Sequence, residues 1–229
     1  MRVASRIPSW SLAALALSIA GCGVLEGLQG VALSKGEDFL PMFDGAKWTF
    51  DVKINGAKVR GEEWALSQVA GEGPVTANLT ISRTVGTTTT VATPSSKLER
   101  RNDGFYLTEG SQAEQRILKL PVRVGDTWPG ADDTFGDTFF TLGQLSFEYG
   151  DGDRQKTGQA LRVDLKKFPS DEERQPIATK VRDRAVTYWF APKVGFVRIV
   201  KSDPVGSPPK DWVEYEVTTW VDPPEPAAE

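Results

Sequence analysis

Histidine is absent from this chain of 229 residues, and cysteine occurs once, at Cys22. Without histidine there is no Ser-His or Cys-His hydrolase, no imidazole base near neutral pH and no zinc site of the usual His/Cys type. One cysteine allows no internal disulfide. Basic residues form no cluster, and the net charge is −4, so nucleic acid and anionic lipid surfaces are poor partners. No apolar run reaches the ~20 residues that a membrane-spanning helix needs. Sustained periodicity of 3.6 residues is missing as well, which leaves little room for helix.

What is present begins at the N-terminus. Met1 to Arg6 carries Arg2 and Arg6 and no acid, and Ile7 to Ala20 is uncharged and rich in Leu, Ala and Ile. A charged start, a short apolar run and small residues before a cleavage point make a secretory signal peptide. The ending Ile19-Ala20-Gly21-Cys22 resembles the lipobox of bacterial lipoproteins. That resemblance implies cleavage between Gly21 and Cys22, acylation of Cys22 with palmitate-type chains, and a lipid-anchored place in the bacterial cell envelope. Residue 23 is Gly rather than Asp, which by similarity to lipoprotein sorting in two-membrane bacteria favours the outer membrane, facing the periplasm or the exterior. Removing 21 residues from 229 leaves 208, enough for one domain with a sizeable core. It also removes two arginines, which takes the charge from −4 to −6.

The expected organisation is a signal peptide over 1–21, a lipid-anchored flexible tether over 22–44, a single β domain over 45–221 and a disordered Pro-rich tail over 222–229. Alternation with period two runs through the domain. Trp48, Phe50, Val52 and Ile54 share one face, as do Val75, Ala77, Leu79 and Ile81, and Leu161, Val163 and Leu165. Such alternation marks half-buried antiparallel strands. The expected fold is all-β and mostly antiparallel, with ~10 strands in a curved meander sheet or half-open barrel. Asn55-Gly56 predicts a type I′ hairpin that pairs Ile54 with Ala57. Continuing that register sets Trp48 against Glu63, so a bulge is expected near Gly61 to turn Trp64 and Leu66 inward. Asp103-Gly104 and Ala191 to Gly195 read as further hairpin connections, with positive φ expected at Gly195.

Three stretches share a resemblance. Tyr188-Trp189-Phe190-Ala191-Pro192-Lys193-Val194-Gly195-Phe196-Val197-Arg198 is similar to a hairpin near the C-terminus of many secreted bacterial proteins of unknown function. Gly45-Ala46-Lys47-Trp48-Thr49-Phe50 resembles their first strand, with Phe50 where tyrosine is usual. Leu120-Pro121-Val122-Arg123-Val124-Gly125-Asp126-Thr127-Trp128 resembles their central segment. The family implies a secreted β domain and supplies no catalytic residue.

Six tryptophans follow the signal peptide. Trp48 is in phase with core aliphatics. Trp189 is out of phase with Tyr188 and Phe190, and Trp212 and Trp220 share a phase with Glu214 and Glu216. Trp189, Trp212 and Trp220 are therefore the candidates for a groove, a second sheet face or a partner surface. Carboxylate pairs occur at Glu62/Glu63, Asp132/Asp133, Asp151/Asp153 and Glu172/Glu173, and a glycosidase would need two of them facing one cleft. Neighbours on a strand point to opposite faces, which disfavours Glu62/Glu63, and the other pairs read as solvated turns. No catalytic residue, metal site or cofactor is expected. The expected role is a non-catalytic envelope lipoprotein, structural or binding another envelope protein. Carriage or sensing of an apolar ligand in the sheet's cavity is the alternative, and a carboxylate-based hydrolase the remote one.

Overall fold

The Asn55-Gly56 turn folds as its chemistry dictates. Both residues take positive φ, 51° and 82°, and Ile54 pairs with Ala57. The bulge then falls at Val59 rather than near Gly61, because Val52 pairs with Arg60 while Lys53 pairs with Lys58. The extra residue comes two positions early and has the predicted effect: Trp48 faces Trp64 instead of Glu63. Val59 itself is among the exposed apolar residues.

The computed structural model describes residues 36–92, 95–130, 138–166, 184–203 and 210–225. Thirteen strands run through them: β1 Lys47–Ile54, β2 Ala57–Ala70, β3 Val75–Val85, β4 Thr88–Val91, β5 Ser96–Arg101, β6 Gly104–Thr108, β7 Gln115–Lys119, β8 Thr127–Pro129, β9 Thr138–Tyr149, β10 Lys156–Lys166, β11 Arg184–Ala191, β12 Gly195–Asp203 and β13 Lys210–Trp220. Among the described residues there is no α-helix, only two short 3₁₀ turns at Gly36–Phe39 and Gly152–Arg154. All pairings are antiparallel and belong to one sheet in the order β7-β6-β5-β3-β2-β1-β13-β12-β11-β10-β9-β8, with β4 on the far half of β3. The sheet curls into a half-barrel. The sequence-based fold class therefore holds, with three more strands than the ~10 expected.

The curl gives the sheet a concave and a convex face. On the concave side Trp48, Phe50, Trp64, Phe196 and Tyr215 form an interlocking ring cluster. Phe50–Trp64, Trp64–Phe196 and Trp48–Phe196 meet edge to face at centroid distances of 5.5 Å. Tyr215 closes the cluster at 6.1–6.2 Å from Trp64 and Phe50. Aromatic pairs of this geometry add ~0.5–1.5 kcal/mol each beyond area burial. Leu79, Leu98, Phe105 and Ile117 extend the core along β3 to β7.

Residues just before β1 join the core. Phe39 and Leu40 are buried to within 1% of completely, and Lys193 N–H donates to Asp38 O at 2.7 Å. The residues over 36–43, assigned above to the tether, therefore pack into the domain. Their two large apolar side chains have a core to enter, and a tether would leave them in water. The β5–β6 turn is Asn102-Asp103, with Arg101 paired to Gly104, one residue earlier than Asp103-Gly104. The two sheet edges approach, and Trp128 of β8 donates through Nε1 to the Arg116 carbonyl of β7 at 2.7 Å.

Candidate interaction face

Register puts Trp189 on the convex side. Arg162, Trp189, Arg198 and Glu216 line up across β10 to β13, and Val163, Tyr188, Ile199 and Tyr215 form the neighbouring row. Tyr215 belongs to the concave cluster, so the row with Trp189 is convex. On β12 the extra residue Val197, between the Trp189–Arg198 and Phe190–Phe196 pairs, lets Phe196 and Ile199, three apart in sequence, both face the concave side.

The tip of the long β9–β10 hairpin covers part of this convex face. A bulge in the β1–β13 ladder displaces Thr218, whose hydroxyl turns to the Thr49 carbonyl. The carbonyls of Val217 and Thr218 then accept from Gly150 N–H at 3.1 Å and Asp151 N–H at 3.0 Å, which docks the hairpin tip on β13. Gly150 is needed for so close an approach. A Cβ there would strike the Arg154 carbonyl and stand 3.1 Å from the Trp220 ring.

Docking assembles a line of rings and cations. Phe147 stacks on Trp189 with centroids 6.2 Å apart and planes 20° apart, and Tyr149 lies 5.7 Å from Trp220. Arg198 and Arg162 sit 5.0 and 5.3 Å from the Trp189 ring, while Lys156 and Arg154 sit 5.0 and 5.4 Å from Trp220. Each such pair is worth ~0.5–2 kcal/mol depending on desolvation. Acids answer most of the cations. Asp164 takes Arg162 in a two-pronged bond with both contacts at 2.9 Å, Glu214 pairs with Arg198, and Asp222 binds both Arg154 and the Trp220 indole. Lys53 pairs with Glu216, and that hydrogen bond raises the Lys53 pKa. Burial raises the pKa of the Tyr149 phenol.

Trp189 and Trp220 thus lie under this chain's own hairpin, 7% and 3% exposed. Phe147 and Tyr149 are half-buried and present the accessible aromatic surface, with Lys156 exposed beside them. Sequence reasoning passed over Phe147, Tyr149, Arg162 and Arg198. Their signal was the spacing of two between Phe147 and Tyr149, which puts both rings on one strand face. The side chain of Trp212 and all of Gly21 and Cys22 lie outside the described residues. The arrangement offers stacking, cation–π contacts and a rim of paired charge.

Glu62 and Glu63 separate as the strand geometry requires. Glu62 is concave and buried, while Glu63 is convex and bound to Lys47 at 3.1 Å. Asp151 caps the Gly152–Arg154 turn, accepting from Gly152 N–H at 2.8 Å. Asp132/Asp133 and Glu172/Glu173 lie outside the described residues. Among the described residues no three His, Cys, Asp or Glu side chains gather to hold a metal ion.

No protein-family model matches the chain, and no curated protein is significantly similar to it. Among solved structures, the chain is similar to a Bacteroides fragilis protein described as exported, with a YmcC-like fold. The TM-score is 0.47 at 12% identity, over 80% of this chain and 99% of that one.

Proposed function

We propose that this chain is an exported, lipid-anchored protein of the bacterial cell envelope whose half-barrel is a non-catalytic module for binding another envelope protein. The export and anchoring part rests on Ile19-Ala20-Gly21-Cys22 and the apolar run before it. The observation that carries the binding part is the filled concave face. Carriage of an apolar ligand needs a cavity of roughly 300 Å³ or more. Between β1, β2, β12 and β13 that space is taken by Phe50, Trp64, Phe196 and Tyr215, packed ring against ring. The carboxylates that a hydrolase would use are engaged by cations: Glu62 by Arg60 and Arg83, Asp164 by Arg162, Glu109 by Lys201. Recognition then falls to the outer surface, where Phe147, Tyr149 and Lys156 give an aromatic and cationic face of the kind partners use.

Photocrosslinking in living cells tests this. A benzoylphenylalanine at position 147 or 149 of the full chain is expected to give one discrete protein adduct. Adducts absent at both positions, from a protein that is exported and folded, would contradict the assignment of this face.

A further inference from the structure

Past the ring cluster, toward the Asn55-Gly56 end, the concave face turns polar. Arg60 stands across from Val52, which stands across from Tyr215; Arg83 stands across from Glu62. Glu62 has a side chain only 1% exposed, and three donors converge on it. Trp64 Nε1 donates to Oε1 at 2.9 Å, while Arg60 Nε and Arg83 Nε both donate to Oε2 at 3.3 Å. Beside this group Lys201 reaches from β12 to Glu109 beyond β6, at 2.7 Å to each carboxylate oxygen, and its ammonium lies 5.6 Å from the Tyr215 ring.

Two features of this group exceed what burying Glu62 demands. One arginine would neutralise it, yet two are present, so with Lys201 and Glu109 cancelling, the mouth keeps one positive charge. The geometry is also unlike the charge-neutralising pairs elsewhere in the chain. Arg162 grips Asp164 with two prongs at 2.9 Å, and Arg101 grips Glu114 with two at 2.7 Å. Arg60 and Arg83 touch Glu62 only through Nε, leaving their terminal Nη groups, four N–H donors on each guanidinium, free of any partner among the described residues. The hydroxyls of Tyr188 and Tyr215 likewise have no hydrogen-bond partner among the described residues, and neither is a fully buried atom. Burial raises the Tyr215 pKa, with Lys201, Glu62, Arg60 and Glu109 all close enough to act on the phenol, so it remains a neutral donor. The mouth is therefore rich in unused donors, and its acceptors are spent.

We propose that this mouth binds a compact oxyanion, a carboxylate or a phosphate group, between the free ends of Arg60 and Arg83 with the Tyr215 hydroxyl as a third donor. Planar forks of this kind match either anion. The site is separate from the convex face and stands whether or not that face binds a protein.

The test is thermal unfolding of the full chain at neutral pH, with sodium phosphate or sodium acetate replacing sodium chloride at constant ionic strength. A saturable rise in midpoint is expected with at least one anion, since a ligand that binds only the native state stabilises it. Response to acetate alone assigns a carboxylate ligand, and response to phosphate alone assigns a phosphate. In Arg83→Gln the rise should disappear, while in Glu63→Gln, on the opposite face, it should persist. Arg83 is half exposed, so its replacement leaves the core intact. Phosphate also stabilises proteins by exclusion from their surface. An unsaturating rise that is equal in wild type and Arg83→Gln, or no rise over chloride with either anion, overturns the site.

Discussion

The Trp48 indole and the Gly195 backbone meet so closely that a Cβ built on Gly195 would stand 2.8 Å from the ring. The same indole donates through Nε1 to the Val194 carbonyl at 2.6 Å. Two of the three stretches that share a sequence resemblance, the first strand and the β11–β12 hairpin, are thus partners in one contact. Positive φ at Gly195, 93° in the structure, was legible from the turn chemistry of Ala191-Pro192-Lys193-Val194. The tryptophan it faces was not, because nothing local joins positions so far apart in sequence. Gly195→Val combines backbone strain with overpacking, each worth ~1–3 kcal/mol, and should destabilise the fold by about 3 kcal/mol. Lys193→Ala, exposed in the same turn, should change stability by less than ~0.5 kcal/mol. Equal unfolding midpoints for the two variants would contradict this contact.

Among the elements, the β5–β7 wing shows how an outer sheet face is held by charge. Arg101 lies 4.1 Å over the Tyr106 ring and bonds Glu99 and Glu114, while Asp103 accepts from the Tyr106 hydroxyl at 2.7 Å and from Arg116 at 2.8 Å. The Arg101 hydrogen bond holds the Glu99 pKa below the usual carboxylate range, and the Tyr106 hydroxyl does the same for Asp103. A carboxylate with a lowered folded-state pKa contributes stability above its unfolded value, about 4, and that contribution is lost as pH falls through the folded value. Urea midpoints should therefore drop with acid below about pH 4.5. Glu99→Gln should start lower at neutral pH and drop less steeply; an unchanged acid slope in that variant would remove Glu99 from the account. The Asp103-Gly104 hairpin marked this wing in the sequence, but its charge pairs depended on cross-strand register. The Val59 bulge makes the same point, since bulge position depends on which large side chains need the core, and Trp48 and Trp64 settle it together. Trp189 and Trp220 stood out by phase alone, whereas the β9–β10 hairpin that covers them gave no local signal of its docking place.

At the scale of the whole molecule, the first and last strands lie side by side at the centre of the sheet, and β7 and β8, consecutive in sequence, form its two edges. The Trp128 bond to Arg116 joins those edges through a side chain, and among the described residues no ladder pairs β7 with β8. A meander of alternating strands was readable as such; its closure was not, because the edges meet through contacts that no local pattern announces, such as that of Trp128 with Arg116. The concave space between β1, β2, β12 and β13 is filled with rings, which fits the proposed lipid-anchored binding module with no apolar cargo inside. Intact-protein mass spectrometry on the chain purified from membranes, under denaturing and then native conditions, tests that claim most directly. The expected species is a polypeptide beginning at Cys22 with covalent acyl chains, and with no added mass from a lipid held inside the native fold. A chain that retains residues 1–21, a Cys22 without acyl groups, or a lipid bound within the folded domain would contradict it.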